Sequence, residues 1–416
     1  MTKTALLGVG SSKLWHRVIR ILRLFSTVLY LLPDLIFRGI IRYTPRHKKT
    51  ETLAIIRLDK IGDMVLFAQT CNALVSHTTQ QGKLCLLICQ PSLVPLVKGL
   101  IPQAQLFGLD PQKLWQPAYR YRQGWRLYRF GIQTFFHPAV SHYQYLETTA
   151  AILRMLPHQI AIGYKTHVTG WRALGNAISG WHYKPLLAPT TCPALNGPPE
   201  PPLSAPIPPH ERDYHQAALS YFGADMPSAH RELGYPECKR EWAFPVADYI
   251  VIAAGASHDL RRWPIGRFVT LVQQLRDRNP EQIVVLIGTP SESDLGEKLR
   301  RHTGEYCIDL TGKTSLVETW HLIAESKLVI TNETGVAQMG AVLGKKTIAL
   351  TGGGHWGRFV PLPEPTTLIA VHHKKPCYNC NWQCIHPLKK GQAAPCILDI
   401  SVEAVLEKIA LAQHNG

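Results

Sequence analysis

The chain has 416 residues, 45% hydrophobic and 18% charged, which is ample apolar material for two packed domains and argues against global disorder. Lys and Arg exceed Asp and Glu by 16, and residues 1–50 alone hold ten basic side chains against the single acid Asp34, so nucleic acid, anionic lipid or phosphorylated small molecules are the favoured partners. Ten irregularly spaced cysteines do not make a secreted disulfide scaffold.

The first apolar segment, Leu14 to Ile41, is cut by Arg17, Arg20, Arg23, Asp34 and Arg38. Its longest uncharged run, Leu24–Pro33, is about half of what a bilayer span needs. It reads as an amphipathic helix lying on an anionic membrane surface, the alternative being a helix packed on the protein itself or on a partner. From Thr52 onward, short β-rich runs alternate with helical stretches, the pattern of an α/β fold. Strands are expected at Leu53–Ile56, Leu84–Cys89, Gln105–Leu109 and Gly131–Phe136, with helices at Met64–His77, Pro111–Arg129 and Gln144–Met155. The second half repeats this, with strands at Tyr249–Ala253, Ile283–Ile287, Tyr306–Asp309, Leu328–Ile330 and Thr347–Leu350. Its helices are expected at Ile265–Asn279, Glu292–His302, Leu316–Ser326, Gly335–Leu343 and Val402–Ala412.

Ten prolines between Pro185 and Pro209 interrupt the two halves and are too many for a helix or a central strand there. A helix near Arg212–Phe222 is expected to lead into the second half. The domains are therefore 1–50, a basic amphipathic extension; 51–184, a Rossmann-like domain; 185–245, a proline-rich connector with a linker helix; and 246–416, a second Rossmann-like domain. Two such domains create a cleft facing the carboxyl ends of both sheets. No G-x-G-x-x-G follows the first strand and no P-loop occurs, so nicotinamide redox chemistry and P-loop phosphoryl transfer lose their usual support.

Four segments carry chemistry. Arg57-Leu58-Asp59-Lys60-Ile61-Gly62-Asp63 joins a strand to a helix, and Asp63 is either a general base for an acceptor hydroxyl or a helix cap. Ala254-Gly255-Ala256-Ser257, followed by His258 to Pro264 with paired Arg261 and Arg262, suits a diphosphate, or is a plain surface loop. Asn332-Glu333-Thr334-Gly335 opens a small-residue helix containing Gln338, and places a carboxylate, a hydroxyl and an amide where sugar hydroxyls can be held. Gly288-Thr289-Pro290-Ser291-Glu292 offers a further contact for a ribose or base edge.

Together these segments, with Asp309 to Leu316, resemble glycosyltransferase family 9, the heptosyltransferase-like enzymes of bacterial lipopolysaccharide assembly, over roughly residues 52–411. The resemblance implies a GT-B fold, inverting transfer without a catalytic metal or cofactor, a nucleotide-sugar donor and a lipopolysaccharide or related surface-glycan acceptor. It implies that Asp63 is the base, Ser257 and Arg261 meet the diphosphate, Glu292 meets the nucleoside, and Thr334 with Gly335 bind the donor. Arg57, Lys60, Arg122 and Arg126 are the candidate acceptor contacts. Where the family usually has Asp-Thr-Gly and then His, this chain has Glu333 and Gln338. These departures point to another donor sugar, or to a weakened relative that binds nucleotide sugar or glycolipid without turnover. Tyr119, Tyr121, Trp125 and Tyr128, interleaved with Arg120, Arg122, Arg126 and Arg129, suit single-stranded nucleic acid, a phosphorylated glycolipid or a plain amphipathic helix. The nucleic-acid reading is the weakest, and no nucleic-acid partner is expected. Cys377-x-x-Cys380-x-x-x-Cys384 with Cys396 is compatible with a structural zinc, a disulfide or free thiols. The expected location is cytoplasmic, peripheral on the inner face of the bacterial inner membrane.

Overall fold

The computed structural model describes residues 29–44, 51–139, 143–164, 183–188, 209–225, 233–240, 242, 248–361 and 367–414. The first strand, β1 (Thr52–Arg57), is buried along its whole length. Leu53 and Ile55 face one core, and Ala54 and Ile56 face another, so the continuous apolar run is that of a strand covered on both sides. Around it lie β2 (Leu84–Cys89), β3 (Gln105–Gly108), β4 (Ile132–Phe136), β5 (Ile160–Tyr164) and β6 (Leu186–Leu187), all parallel, in the order β3-β2-β1-β4-β5-β6. The second sheet uses β7 (Ile250–Ala253), β8 (Val284–Leu286), β9 (Cys307–Asp309), β10 (Leu328–Asn332), β11 (Thr347–Leu350) and β12 (Leu368–Val371) in the order β12-β11-β10-β7-β8-β9. Counted from its own first strand, each sheet has the same doubly wound order, with its switch point at β1/β4 or β7/β10. This is the GT-B arrangement expected from the sequence.

The helices follow the sequence pattern closely: α2 (Ile61–Gln80), α4 (Pro117–Tyr128), α5 (Tyr143–Met155), α7 (Ile265–Arg278), α8 (Ser293–Thr303), α9 (Leu316–Glu325), α10 (Gly335–Val342) and α12 (Val402–His414). The Pro111–Arg129 stretch splits into a 3₁₀ turn at Lys113–Trp115 and α4, because Pro117 fits a first helical turn and lacks the N–H an unbroken helix needs. Sequence pattern missed β5, β6, β12, α3 (Val94–Leu100) and α11 (Pro395–Leu398), all short. Strand β6 also falls within the range expected to be connector, and extends the first sheet by one strand. The helix α6 (Glu211–Phe222) does not simply lead away into the second domain. Tyr214, Ala218 and Leu219 pack into the core that holds Phe67, Cys71 and Leu74 of α2. That core continues through α3 and α9 to Val251 and Val329 of the second sheet.

The aromatic–arginine stretch also finds its place here. Tyr119, Tyr121 and Trp125 pack against the core beneath α4, and Arg122, Arg126 and Arg129 are exposed, so α4 is an amphipathic helix with its aromatics turned inward.

Helix α1, residues 29–42, is amphipathic in an inverted sense. Its carboxylate Asp34 points inward, fully buried, and accepts from Arg120 Nε at 2.8 Å and Arg154 Nε at 3.2 Å. Phe37 lies against Tyr121, and Ile41 is in the core. Outward stand Leu29, Leu32, Ile36 and Ile40, each 54–65% exposed and spaced along one helical face. The boundary of the expected extension 1–50 is therefore corrected for residues 29–44, which pack on the first domain as the alternative reading had it; residues 1–28 and 45–50 lie outside the described residues. Asp34→Ala is expected to cost about 3–5 kcal/mol in denaturant unfolding, because it strands two buried guanidinium groups.

Candidate active site

Both switch points open on the same cleft. At the end of β1, Arg57 is 1% exposed, and its Nη1 donates to the Pro138 carbonyl at 2.7 Å, just past β4. Its Nη2 donates to the Asp63 carbonyl at 3.2 Å and to Glu211 Oε1 at 3.4 Å, while Nε pairs with Asp59 Oδ2 at 3.2 Å. Burial pulls its pKa down, but Asp59, Glu211 and Asp63 outweigh that and hold it above the usual value. The guanidinium is engaged on every side. Arg57 is thus corrected from an acceptor contact to a group that fixes the turn carrying Asp63.

Asp63 is not the N-cap of α2. The cap position is Lys60, with no side-chain cap bond, and Asp63 sits in the first turn, half-buried, where the helix dipole favours a carboxylate. The cap reading of Asp63 is thereby replaced. Lys60 is exposed at the same helix end.

Across the cleft, the N-terminus of α10 meets that of α2. A methyl placed on Gly335 would lie 2.6 Å from Ile61 Cγ2 and 3.1 Å from the Gly62 nitrogen. Gly62 and Gly335 are where this approach requires glycine. Thr334 caps α10, its hydroxyl accepting from the Val336 amide at 3.3 Å, and Gln338 lies one turn along, buried, with Oε1 unpaired. Two helix ends with their orphan amides therefore face each other, with Asp63 in the first turn of α2.

On the second-domain side, Asn332 of β10 is fully buried and clamps the turn after β7. Its Nδ2 donates to the carbonyls of Ala254 (2.8 Å) and Gly255 (3.1 Å), and its Oδ1 accepts from the Trp263 amide at 3.0 Å. This residue stood inside a segment singled out from sequence, but its clamping role depends on a strand pairing the sequence does not display. Arg261 reaches from that turn to Glu333, donating to its backbone carbonyl and pairing with Oε1 at 3.3 Å. Burial raises the Glu333 carboxyl above its ordinary pKa, partly offset by Arg261 and the Gly352 amide. Ser257 is exposed in the same turn. Glu292 accepts from the Thr289 amide at 2.8 Å and lines a narrow cavity with Ala254, Gly255, Gly296 and Thr311.

The structure thus gathers Asp63, Arg261, Glu333, Thr334, Gly335 and Gln338 around the facing switch points. Arg122 and Arg126 are not brought there. They lie on α4, which covers the opposite face of the first sheet from α2, and their assignment as acceptor contacts is corrected accordingly. Cys377, Cys380, Cys384 and Cys396 are free thiols close enough to raise one another's pKa, behind burial as the larger cause at Cys380 and Cys396, and among the described residues no three His, Cys, Asp or Glu side chains are grouped as metal ligands. Sequence reading missed Glu211 and Arg358. Arg358 pairs with Glu211 Oε2 at 3.2 Å, so one carboxylate bridges Arg57 of the first domain and Arg358 of the second. An isolated Glu and Arg 147 residues apart leave no signal in sequence.

Gly335→Ala is expected to lower stability by about 1–3 kcal/mol in urea, the cost of overpacking, because the methyl meets Ile61 and Gly62. An unchanged midpoint would show that the two helix ends stand apart in solution.

Residues 202–386 match the model of glycosyltransferase family 9 (heptosyltransferase). The chain is 28% identical over 157 residues to lipooligosaccharide heptosyltransferase 2 of Haemophilus influenzae, a match covering 36% of this chain and 42% of that one. It is 27% identical over 157 residues to lipopolysaccharide heptosyltransferase 2 of Escherichia coli, with the same coverage of 36% and 42%. The matched stretch thus spans less than half the length of these relatives. Likeness of fold runs further: the Escherichia coli ADP-heptose lipopolysaccharide heptosyltransferase II structure superposes with a TM-score of 0.58 at 15% identity, covering 88% of this chain and all of that one. A family 9 glycosyl transferase from Veillonella parvula gives 0.61 at 14% identity, over 89% of this chain. The family's own model thus matches residues 202–386, and solved structures of family 9 glycosyl transferases share the two-sheet fold over most of this chain.

Proposed function

We propose that the chain is an inverting glycosyltransferase that moves heptose or a related sugar from a nucleotide-diphosphate donor to a lipopolysaccharide core or related surface-glycan acceptor. The observation that carries this reading is the meeting of the α2 and α10 N-termini, with Asp63 on one side of the cleft and Arg261 and Thr334 on the other. The named relatives, heptosyltransferases of lipopolysaccharide or lipooligosaccharide, support the substrate class.

The chemistry then balances on this chain's own residues. The acceptor hydroxyl oxygen bonds to the anomeric carbon from the face opposite the diphosphate. The bond from that carbon to the diphosphate oxygen breaks, and its electron pair leaves with the diphosphate. The hydroxyl proton goes to the Asp63 carboxylate. Arg261 and the amides at the α10 N-terminus face the charge that builds on the leaving group, the role a divalent cation fills in metal-dependent transferases. Glu333 favours a second reading, a relative that binds the donor without turnover, because its carboxylate competes with the diphosphate for Arg261.

Asp63→Asn is expected to preserve folding and nucleotide binding while lowering transfer by about a hundredfold or more. Assays with a panel of ADP-, UDP-, GDP- and CMP-sugars and a soluble acceptor measure it. Transfer by the variant at the wild-type rate would remove the base assignment, and binding without turnover in the wild type would select the second reading.

The same proposal places the enzyme on the cytoplasmic face of the inner membrane, with anionic lipid as a partner and no nucleic acid. Support comes from α1, whose outward face is apolar, beside exposed Arg42, Arg122 and Arg126. Among the described residues no helix is long and apolar enough to cross a membrane. Replacing Leu32, Ile36 and Ile40 together by Ser is expected to weaken co-sedimentation with anionic vesicles by about tenfold or more, through loss of inserted apolar surface. Thermal stability should hold, because these side chains are already in water in the free protein. Unchanged sedimentation would assign α1 to a protein partner.

A further inference from the structure

The cysteine-bearing loop, which the proposed reaction leaves without a role, lies against the donor side of the cleft. Between Cys377 and Cys384 the chain holds three non-glycine residues in the left-handed region: Asn379 (φ 66°), Asn381 (φ 50°) and Trp382 (φ 57°). For an aromatic residue this conformation is costly, and such strain persists where surrounding contacts over-determine it. Those contacts are visible. The Asn379 amide donates to the Gly353 carbonyl at 2.6 Å and the Asn381 amide to the Gly354 carbonyl at 2.9 Å, while Asn381 Oδ1 meets His355 Nε2 at 2.9 Å. The indole of Trp382 is pressed across Gly352 and Gly354, where a methyl on either glycine would overlap it.

The indole also carries Arg261, whose guanidinium carbon is 5.3 Å from the ring centroid. Arg261 is thus held between the Glu333 carboxylate and the Trp382 ring. Both residues also keep a buried hydrogen-bond donor without a partner, Nε of Arg261 and Nε1 of Trp382. Two unsatisfied N–H groups joined by one cation–π contact are costly in the free protein and are satisfied by an oxyanion.

We propose that Trp382 is a donor-binding residue: its ring sets the position of Arg261, and its Nε1–H, with Arg261 Nε–H, binds the diphosphate of the nucleotide sugar. This rests on the reading of Arg261 as the diphosphate contact. The strained loop is then the device that delivers an indole beneath an arginine.

Calorimetric titration with ADP, UDP and GDP, and with the matching nucleosides lacking phosphate, tests it on the full chain and on Trp382→Phe, Trp382→Ala and Arg261→Ala. Trp382→Ala should weaken binding of the preferred nucleoside diphosphate by about tenfold or more, the scale of a hydrogen bond to a charged group. Trp382→Phe, which keeps the ring and loses the N–H, should show a smaller loss of about threefold to tenfold. Nucleoside binding should not change in either, and the KM for donor should rise while the KM for acceptor stays constant, a split that general misfolding does not produce. Wild-type affinity in Trp382→Phe and Trp382→Ala alongside weakened binding in Arg261→Ala would overturn the role of Trp382 and leave the donor reading intact. Full affinity in Arg261→Ala, or no nucleoside diphosphate bound by the wild type, would overturn both. If Trp382→Ala fails to fold, the Phe variant decides: wild-type affinity there overturns the role of the indole N–H.

Discussion

A single buried carboxylate holds the two halves of the site in register. Glu211 is 1% exposed and sits between Arg57, which ends the first strand, and Arg358, which follows β11 in the second domain. Its backbone amide also donates to the Arg358 carbonyl at 2.9 Å. Buried ions are expensive, and removing one partner from such a set costs about 3–5 kcal/mol, so the arrangement strongly favours one relation of the two sheets. Because Arg57 simultaneously holds Pro138 and the Asp63 carbonyl, the same network sets the turn on which Asp63 rides. Position of the carboxylate at the cleft and docking of the domains are therefore not independent properties.

This coupling explains where sequence pattern was informative and where it was silent. Runs such as Thr52–Arg57 and Leu328–Asn332 were legible because a strand covered on both faces must be apolar throughout. The helices α2, α7 and α9 were legible from periodicity. Strands of two to five residues such as β5, β6 and β12 carry too little pattern to separate from loop. Of the candidate site, Asp63, Arg261, Glu333 and Thr334 lie on segments that sequence singles out, since strand–turn–helix junctions advertise themselves through glycine and small residues. Glu211, Arg358, Asn332 and Trp382 act only through partners far along the chain. Composition misled at Arg57 and at α4: a basic residue beside a cleft motif reads as ligand-binding, whereas burial and pairing decide its part.

Helix α1 shows the same limit from the other direction. Its sequence contains one acid among leucines and isoleucines, and amphipathic reasoning would put that acid in water. Here Asp34 faces inward because Arg120 and Arg154 are already buried beneath it and need a counter-charge. The leucines are displaced outward as a consequence. The exposed apolar face is thus a by-product of neutralising two arginines, and it becomes an asset only where a membrane is available to cover it.

The cleft itself is built under tension of a different kind. Glu333 Oε2, Gln338 Oε1, Arg261 Nε and Trp382 Nε1 are all buried and all lack partners. Each such group costs about 1–3 kcal/mol, and a fold that merely sought stability would cover them with apolar residues or pair them with each other. Glu333 goes part of the way by reaching Arg261, and the extra methylene relative to Asp makes that reach longer. Yet burial still raises the Glu333 carboxyl, which means the pair is incompletely compensated. Two unpaired acceptors on the β10–α10 junction and two unpaired donors on the Arg261–Trp382 contact are complementary to a ligand carrying hydroxyls at one end and phosphate oxygens at the other. A nucleotide sugar has that order of groups. On the proposed reading, the departures at Glu333 and Gln338 fall on the hydroxyl-facing side and bear on which sugar is held, while Glu333, through its pair with Arg261, also bears on the phosphate-facing donors.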